Sequence, residues 1–241
     1  MTMDESYDQE FKQLKELKKK LTWLPWVGEH YSVLPAENRV LLIGESHYLT
    51  DSAGSKAEHE KDNLTRRIVG SKGIDQKGRS NFYINTQKLM LGNGTLQKRE
   101  RYIFWSRLAF YNFIQTPMDS LKHRPTEEHM LIASDNFIDV IKVLKPSVCV
   151  FLGLGAAEKL NEVIHNSAYK FEREIGGAKK VGKNTPRIGR IIAPDGQVIK
   201  LLFVKHPSSY FSPGSWNLFL TKNAPSQMKW FKSLININKA A

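Results

Sequence analysis

The sequence has almost no cysteine: Cys149 is the single one in 241 residues. An intrachain disulfide is therefore impossible, and one thiol can build neither a cysteine-pair zinc site nor a four-thiolate iron–sulfur cluster. Cys149 sits in an apolar run, where a free cysteine serves as a small core hydrophobe. Long hydrophobic runs are also missing. Val148 to Leu154 and Leu201 to Val204 fall far short of the roughly 20 apolar residues of a membrane-spanning helix. No internal repeat or low-complexity tract interrupts the chain. The opening residues include Asp4, Glu5, Asp8 and Glu10 and lack the basic start and apolar core of a secretion signal, so a cytoplasmic protein is expected.

Acidic residues are scarce relative to basic ones: 24 against 36, a formal charge of +12. Such a field attracts polyanions, with nucleic acid the first candidate and a merely soluble basic protein the plain alternative. Basic residues gather from Arg66 to Arg107 and again at Lys179, Lys180, Lys183, Arg187 and Arg190, a stretch without one acid. Loops of this kind neutralise phosphates.

The remaining composition, 41% hydrophobic and 25% charged, is that of a globular chain long enough to bury a sizeable core. Phe11, Leu14, Leu17 and Leu21 recur among lysines at helical spacing, which predicts an amphipathic first helix. We expect a helical segment over 1–36 packed on a core domain over 37–241. Arg39 to Ile43 reads as a buried strand ended by Gly44, and Thr50 to Gly94 as a long, partly irregular surface segment. A second strand is expected over Leu108 to Ile114, a helix over 127–144, a third strand over Val148 to Leu152 and a helix over Ala156 to Ile164. Arg187 to Ala193 and Val198 to Val204 flank Asp195-Gly196, a hairpin signal. A last helix covers Pro225 to Ile235. Strands alternating with helices predict an α/β fold, a three-layer α/β/α sandwich with a central, mainly parallel sheet. In such sheets ligands sit beyond the carboxyl ends of the strands, where GESHY follows the first strand and HPSS the last.

Those two loops carry chemistry suited to cleaving an N-glycosidic bond. The reaction passes through an oxocarbenium-like sugar while negative charge develops on the departing base. Glu45 supplies a carboxylate that positions or activates water. His206 supplies a donor to the leaving base. Ser46, His47, Ser208 and Ser209 add hydroxyl and imidazole donors. Either loop alone is a weak signal, and their pairing is what gives it weight.

The segments LLIGESHY, GRSNFYINTQKLML, LAFYNFIQTP, HRPTEEHMLIASDNFIDVIKVLKPSVCVFLGLGAAEKL and LLFVKHPSSYFSPGSW resemble, in the same order over roughly 39–235, the uracil-DNA glycosylase superfamily. The resemblance implies that fold and a monofunctional DNA glycosylase, with DNA as partner and neither metal nor other cofactor. It assigns Glu45 and His206 to catalysis, with Ser46 standing where one branch places its catalytic aspartate. It makes Phe82 the aromatic that stacks on the flipped base, Asn112 the reader of its edge, and Tyr48, beside His47, a gate to the pocket. Gly44, Pro207, Ser208 and Ser209 fall in loops that grip DNA, and Tyr210 to Trp216 in the loop that wedges into the duplex; Phe211 and Trp216 are the aromatics singled out for intrusion. Lys179, Lys180 and Lys183 are expected on phosphates. Lys205, the one lysine beside a motif, is expected to point away by strand alternation, which favours hydrolysis over lyase chemistry. The expected base is uracil, a deaminated purine or an enlarged pyrimidine of the kind found in phage DNA, in repair or in defence. A catalytically silent nucleic-acid-binding module and a small-nucleotide hydrolase remain open as alternatives.

Overall fold

Strands form where the sequence is apolar on both sides of the pleat. The computed structural model describes residues 3–16, 21–50, 54–92, 94–120, 124–158, 160–164, 167–174 and 179–237. Within them β1 (Trp26–Val27), β2 (Val40–Gly44), β3 (Ala109–Asn112), β4 (Val148–Leu152), β5 (Lys170–Arg173), β6 (Arg187–Ile192) and β7 (Val198–Val204) make one sheet in the order β1-β3-β2-β4-β7-β6-β5. The central strands β3, β2, β4 and β7 run parallel, whereas β1, β6 and β5 each pair antiparallel with their inner neighbours. Every residue of β2, β3 and β4 is buried, as a parallel sheet covered on both faces requires.

Side-chain alternation sorts the core into two. Leu41, Ile43, Tyr111, Cys149, Phe151 and Phe203 face a cluster completed by α1 (Asp8–Glu16), α6 (Glu127–Leu144) and α7 (Leu160–Ile164). Val40, Leu42, Phe110, Val150, Leu202 and Val204 face the other way. Their cover is a π-helix (Val69–Ile74) with α4 (Asn81–Leu91), α5 (Lys98–Trp105), α8 (Pro213–Asn223) and α9 (Pro225–Ile237). Cys149 is fully buried in the first cluster, and burial drives its thiol pKa well up, so it stays a protonated hydrophobe.

α6 shows how local signals set an element. Thr126 caps its start, the hydroxyl accepting from His129 N at 3.2 Å, and Lys145 ends it in the left-handed conformation just before Pro146. A left-handed end followed by proline cannot continue a helix. The β6–β7 hairpin turns at Gly196, whose φ of 85° suits glycine.

Residues 3–36 supply β1 and α1, and α1 is anchored by Arg66. That guanidinium meets Asp8 through two contacts of 2.9 and 2.5 Å and donates to Pro25 O at 2.8 Å. The first helix extends to Glu16; Leu17 lies outside the described residues, and Leu21 is buried beyond the helix rather than on it.

Several expectations need correction. Far from irregular, the described part of Thr50 to Gly94 holds α2 (Ser55–His59), α3 (Leu64–Ile68), the π-helix and α4. Polar residues on the buried side hid their periodicity: Thr65, Arg66, Thr86 and Gln87 are all buried, and Gln87 donates to Gly73 O at 2.7 Å. The helix expected from Ala156 is a 3-10 turn (Gly155–Glu158) followed by α7, and β1, β5 and α8 were not foreseen. β5 is mostly exposed, so it carries little hydrophobic pattern to detect.

Candidate active site

The chain passes from β2 to β3 on one side, whereas β4, on the other side of β2, leads on to β5 at the far end of the sheet, so the connections diverge between β2 and β4. Crevices form at such a reversal, beyond the carboxyl ends of the strands. Glu45 is the first residue past β2, and the backbone ladder continues beyond the strands: Phe113 N donates to Gly44 O, Ile114 N to Glu45 O and Met118 N to His47 O. GESHY is thereby fastened to the segment after β3.

The Glu45 side chain is one-quarter exposed. Its Oε2 accepts from Tyr48 Oη at 2.5 Å and lies 3.9 Å from Arg124 Nη1. Burial, then the bond to Glu45, raises the Tyr48 pKa, so the hydroxyl stays protonated and donates to the carboxylate. Beside Glu45 a narrow cleft of about 30 Å³ runs against Met130, Leu152 and Gly153. That volume admits a water molecule.

His206 stands two residues past β7 on a half-buried ring, 5.2 Å from the ring of Phe82 in the first turn of α4. Burial lowers its pKa, against an opposing pull from the Glu45 charge and a further push down from Arg124. The imidazole is therefore neutral at pH 7, and it senses the carboxylate of the other loop. Phe82 also meets Phe110 at 6.2 Å.

Asn112 ends β3 in register with Gly44. Its side chain lies directly over that glycine: a Cβ on Gly44 would fall 2.3 Å from Asn112 Oδ1. Asn112 is 3% exposed, yet its Nδ2 has no hydrogen-bond partner. A buried amide donor left unpaired is costly.

The loop after His206 is also fixed. Asn85 Nδ2 donates to Pro207 O at 3.2 Å and Ser208 O at 3.1 Å, and Lys205 Nζ donates to Tyr210 O at 2.7 Å. Ser208 and Ser209 are exposed. Tyr210 is 97% exposed and held at a φ of 54°, a conformation a tyrosine adopts only at some cost. Lys179, Lys180 and Lys183 are exposed further along the same sheet edge.

The structure pairs Glu45 with Tyr48 and Phe82 with His206, sets Asn112 over Gly44 at the same end of the sheet, and corrects other assignments. His47 points away from the site into a buried cluster, its Nε2 2.9 Å from Thr65 Oγ1 and its ring edge-on to Trp23 at 4.7 Å. Burial first, then the His59 charge, lowers its pKa to about 3. It is a neutral structural residue rather than a base contact. Ser46 donates its hydroxyl proton to Thr116 O at 2.7 Å, which fastens the loop. Gly44 and Pro207 are buried and offer DNA no surface of their own. Trp216 lies on α8 at 1% exposure with Phe211 stacked beside it, so neither ring stands free of the core as Tyr210 does. Arg124 and Asn85 went unassigned in the sequence because their partners are distant along the chain. Arg124 lies within the HRPTEE segment, and only the fold places it beside Glu45.

A scan of protein-family models finds no matching family, and no curated protein matches the chain. Among the described residues no cluster of metal-ligating side chains occurs, and no helix is long and apolar enough to cross a membrane.

Proposed function

We propose that this protein is a monofunctional DNA glycosylase of the uracil-DNA glycosylase type, hydrolysing the N-glycosidic bond of a flipped base. The observation that carries the reading is the placement of Glu45 and His206 just past the carboxyl ends of β2 and β7, parallel strands separated only by β4, so that both loops open at the same end of the sheet. In this reading Glu45 orients the attacking water and offsets positive charge on the sugar. Neutral His206 donates its N–H to the base as negative charge develops there. Phe82, beside His206, supplies a stacking face. Asn112 Nδ2 gains the acceptor it lacks when a base edge arrives.

Base removal requires the nucleotide to leave the stack first. Tyr210, exposed at the tip of the HPSS loop, is the side chain best placed to fill the gap, with Ser208 and Ser209 beside it for phosphate contacts. The substrates considered are uracil, deaminated purines and enlarged cytosines. The test is an excision assay on labelled duplex and single-stranded oligonucleotides bearing uracil, hypoxanthine, xanthine or hydroxymethylated or glucosylated cytosine. Alkali-labile abasic sites that disappear in Glu45→Gln and His206→Ala support the reading. Tight binding with no excision on any substrate favours the catalytically silent binding module.

A further inference from the structure

A cavity of about 980 Å³ opens along the same sheet edge, between the β5–β6 end and α8. Register fixes its position: Arg187 pairs with Phe203, so the start of β6 lies beside the end of β7 that leads to His206. Its walls carry Arg173, Lys179, Lys180, Arg187 and Lys222 against one acid, Glu174. Lys179, Lys180 and Lys222 are exposed, and among the described residues none of the three forms an ion pair.

Apolar surface lies between the cations. Leu218 is 72% exposed on α8 in the same cavity, near Ile188 and Phe219. A smaller cavity of about 290 Å³ shares Val181 and Ser215 with the first and is lined by Lys183, Lys205 and Tyr210. The two form one basic channel leading from the HPSS loop to β5.

We infer that this channel is a second nucleic-acid site, which holds a single strand running on from the candidate active site. Proteins that bind single strands without sequence preference pair a positive groove with aromatic side chains on which bases stack; here exposed Tyr210 lines one end, and Leu218 adds aliphatic contact along the wall. The cavity falls within the size range of small-ligand pockets, roughly 300–1,000 Å³, and so takes a short stretch of one strand rather than a duplex. The inference rests on the proposed function only in taking nucleic acid as the polyanion; it does not require excision.

The test is fluorescence anisotropy with labelled oligothymidylate, which contains no target base, against a blunt duplex of equal length and heparin, over a salt series. The proteins are the full chain, Leu218→Ser and the triple variant Lys179→Ala, Lys180→Ala, Lys222→Ala, all altered at exposed side chains and each checked by its unfolding midpoint. The triple variant should lose about tenfold in affinity and about 2 in the slope of log affinity against log salt, near 0.7 for each single-strand phosphate contact. Its loss for the duplex should be smaller. Leu218→Ser should weaken oligothymidylate binding by roughly fourfold, the worth of about one buried methylene group, and leave heparin binding unchanged. An unchanged slope in the triple variant, an equal or greater loss for the duplex, or equal effects of Leu218→Ser on heparin and oligothymidylate would overturn the inference. Loss of single-strand binding in a protein that excises nothing would sustain the channel and remove the glycosylase reading; excision with an unaffected channel would do the reverse.

Discussion

Asn112 and His47 are both buried polar residues in or beside the GESHY region, and their surroundings give them opposite roles. Asn112 holds an amide donor without an acceptor. Replacing such a group with an apolar side chain of similar shape is nearly neutral for stability. Asn112→Leu should therefore keep unfolding free energy within about 1 kcal/mol of wild type while excision falls on the order of a hundredfold. Calorimetry beside single-turnover kinetics checks both, and a large stability loss with full activity would make Asn112 a packing residue. His47 is satisfied by Thr65 and Trp23. Its pKa falls from 6.5 to about 3 on folding, so below pH 6.5 the unfolded chain takes up a proton that the fold refuses. Stability should decline by up to about 1.4 kcal/mol per pH unit on acidification. His47→Gln retains a partner for Thr65 and removes the titration, so urea unfolding at about pH 7, 6 and 5 should show a shallower decline; parallel curves would contradict this. The lowered His206 pKa leaves the ring neutral near pH 7; if the neutral ring is the donor to the base, as proposed, the excision rate should hold through about pH 8. A rate that fades above about pH 6 would instead point to an imidazolium donor.

Elements differ in what a single change costs them. On β2, Gly44→Ala drives a methyl into Asn112 Oδ1, and overpacking of this kind costs about 1–3 kcal/mol; under the proposed function the same change should also displace Asn112 and lower excision. On α8, Trp216→Ala should cost about 3–5 kcal/mol of stability, as buried aromatics do. Tyr210 lies only a short way upstream on an exposed turn. Tyr210→Gly relieves its positive φ and should leave the unfolding midpoint unchanged or higher while it weakens excision from duplex more than from single strands. The contrast between these two aromatics shows where sequence reading succeeds and where it stops. The apolar strands 148–152 and 198–204, the helix 127–144 and the Asp195-Gly196 turn were legible because burial on both faces, capping and turn chemistry are local. The placement of GESHY and HPSS just past strand ends was legible for the same reason. Helix α8, by contrast, starts at Pro213 within a glycine- and proline-bounded stretch that reads as a loop, so the burial of Trp216 was invisible. The roles of His47, Ser46 and Arg124 were equally hidden. Each depends on a residue brought near by the fold: Thr65, Thr116 and Glu45.

The whole molecule presents +12 of formal charge and gathers its candidate chemistry and two connected basic cavities along one sheet edge. A field of this size speeds encounter with nucleic acid and makes binding steeply salt-dependent. Affinity alone does not separate a glycosylase from a binding module of the same shape, since both bring phosphates to that edge. Product chemistry does. The decisive measurement is mass spectrometry of the products from base-modified oligonucleotides incubated with the wild type and with Glu45→Gln. A free base together with an unbroken strand carrying an abasic deoxyribose, formed by the wild type and reduced about a hundredfold or more in the variant, is the result expected. Oligonucleotides returned intact across the substrate panel, despite tight binding, would contradict the assignment of Glu45 and His206 to catalysis.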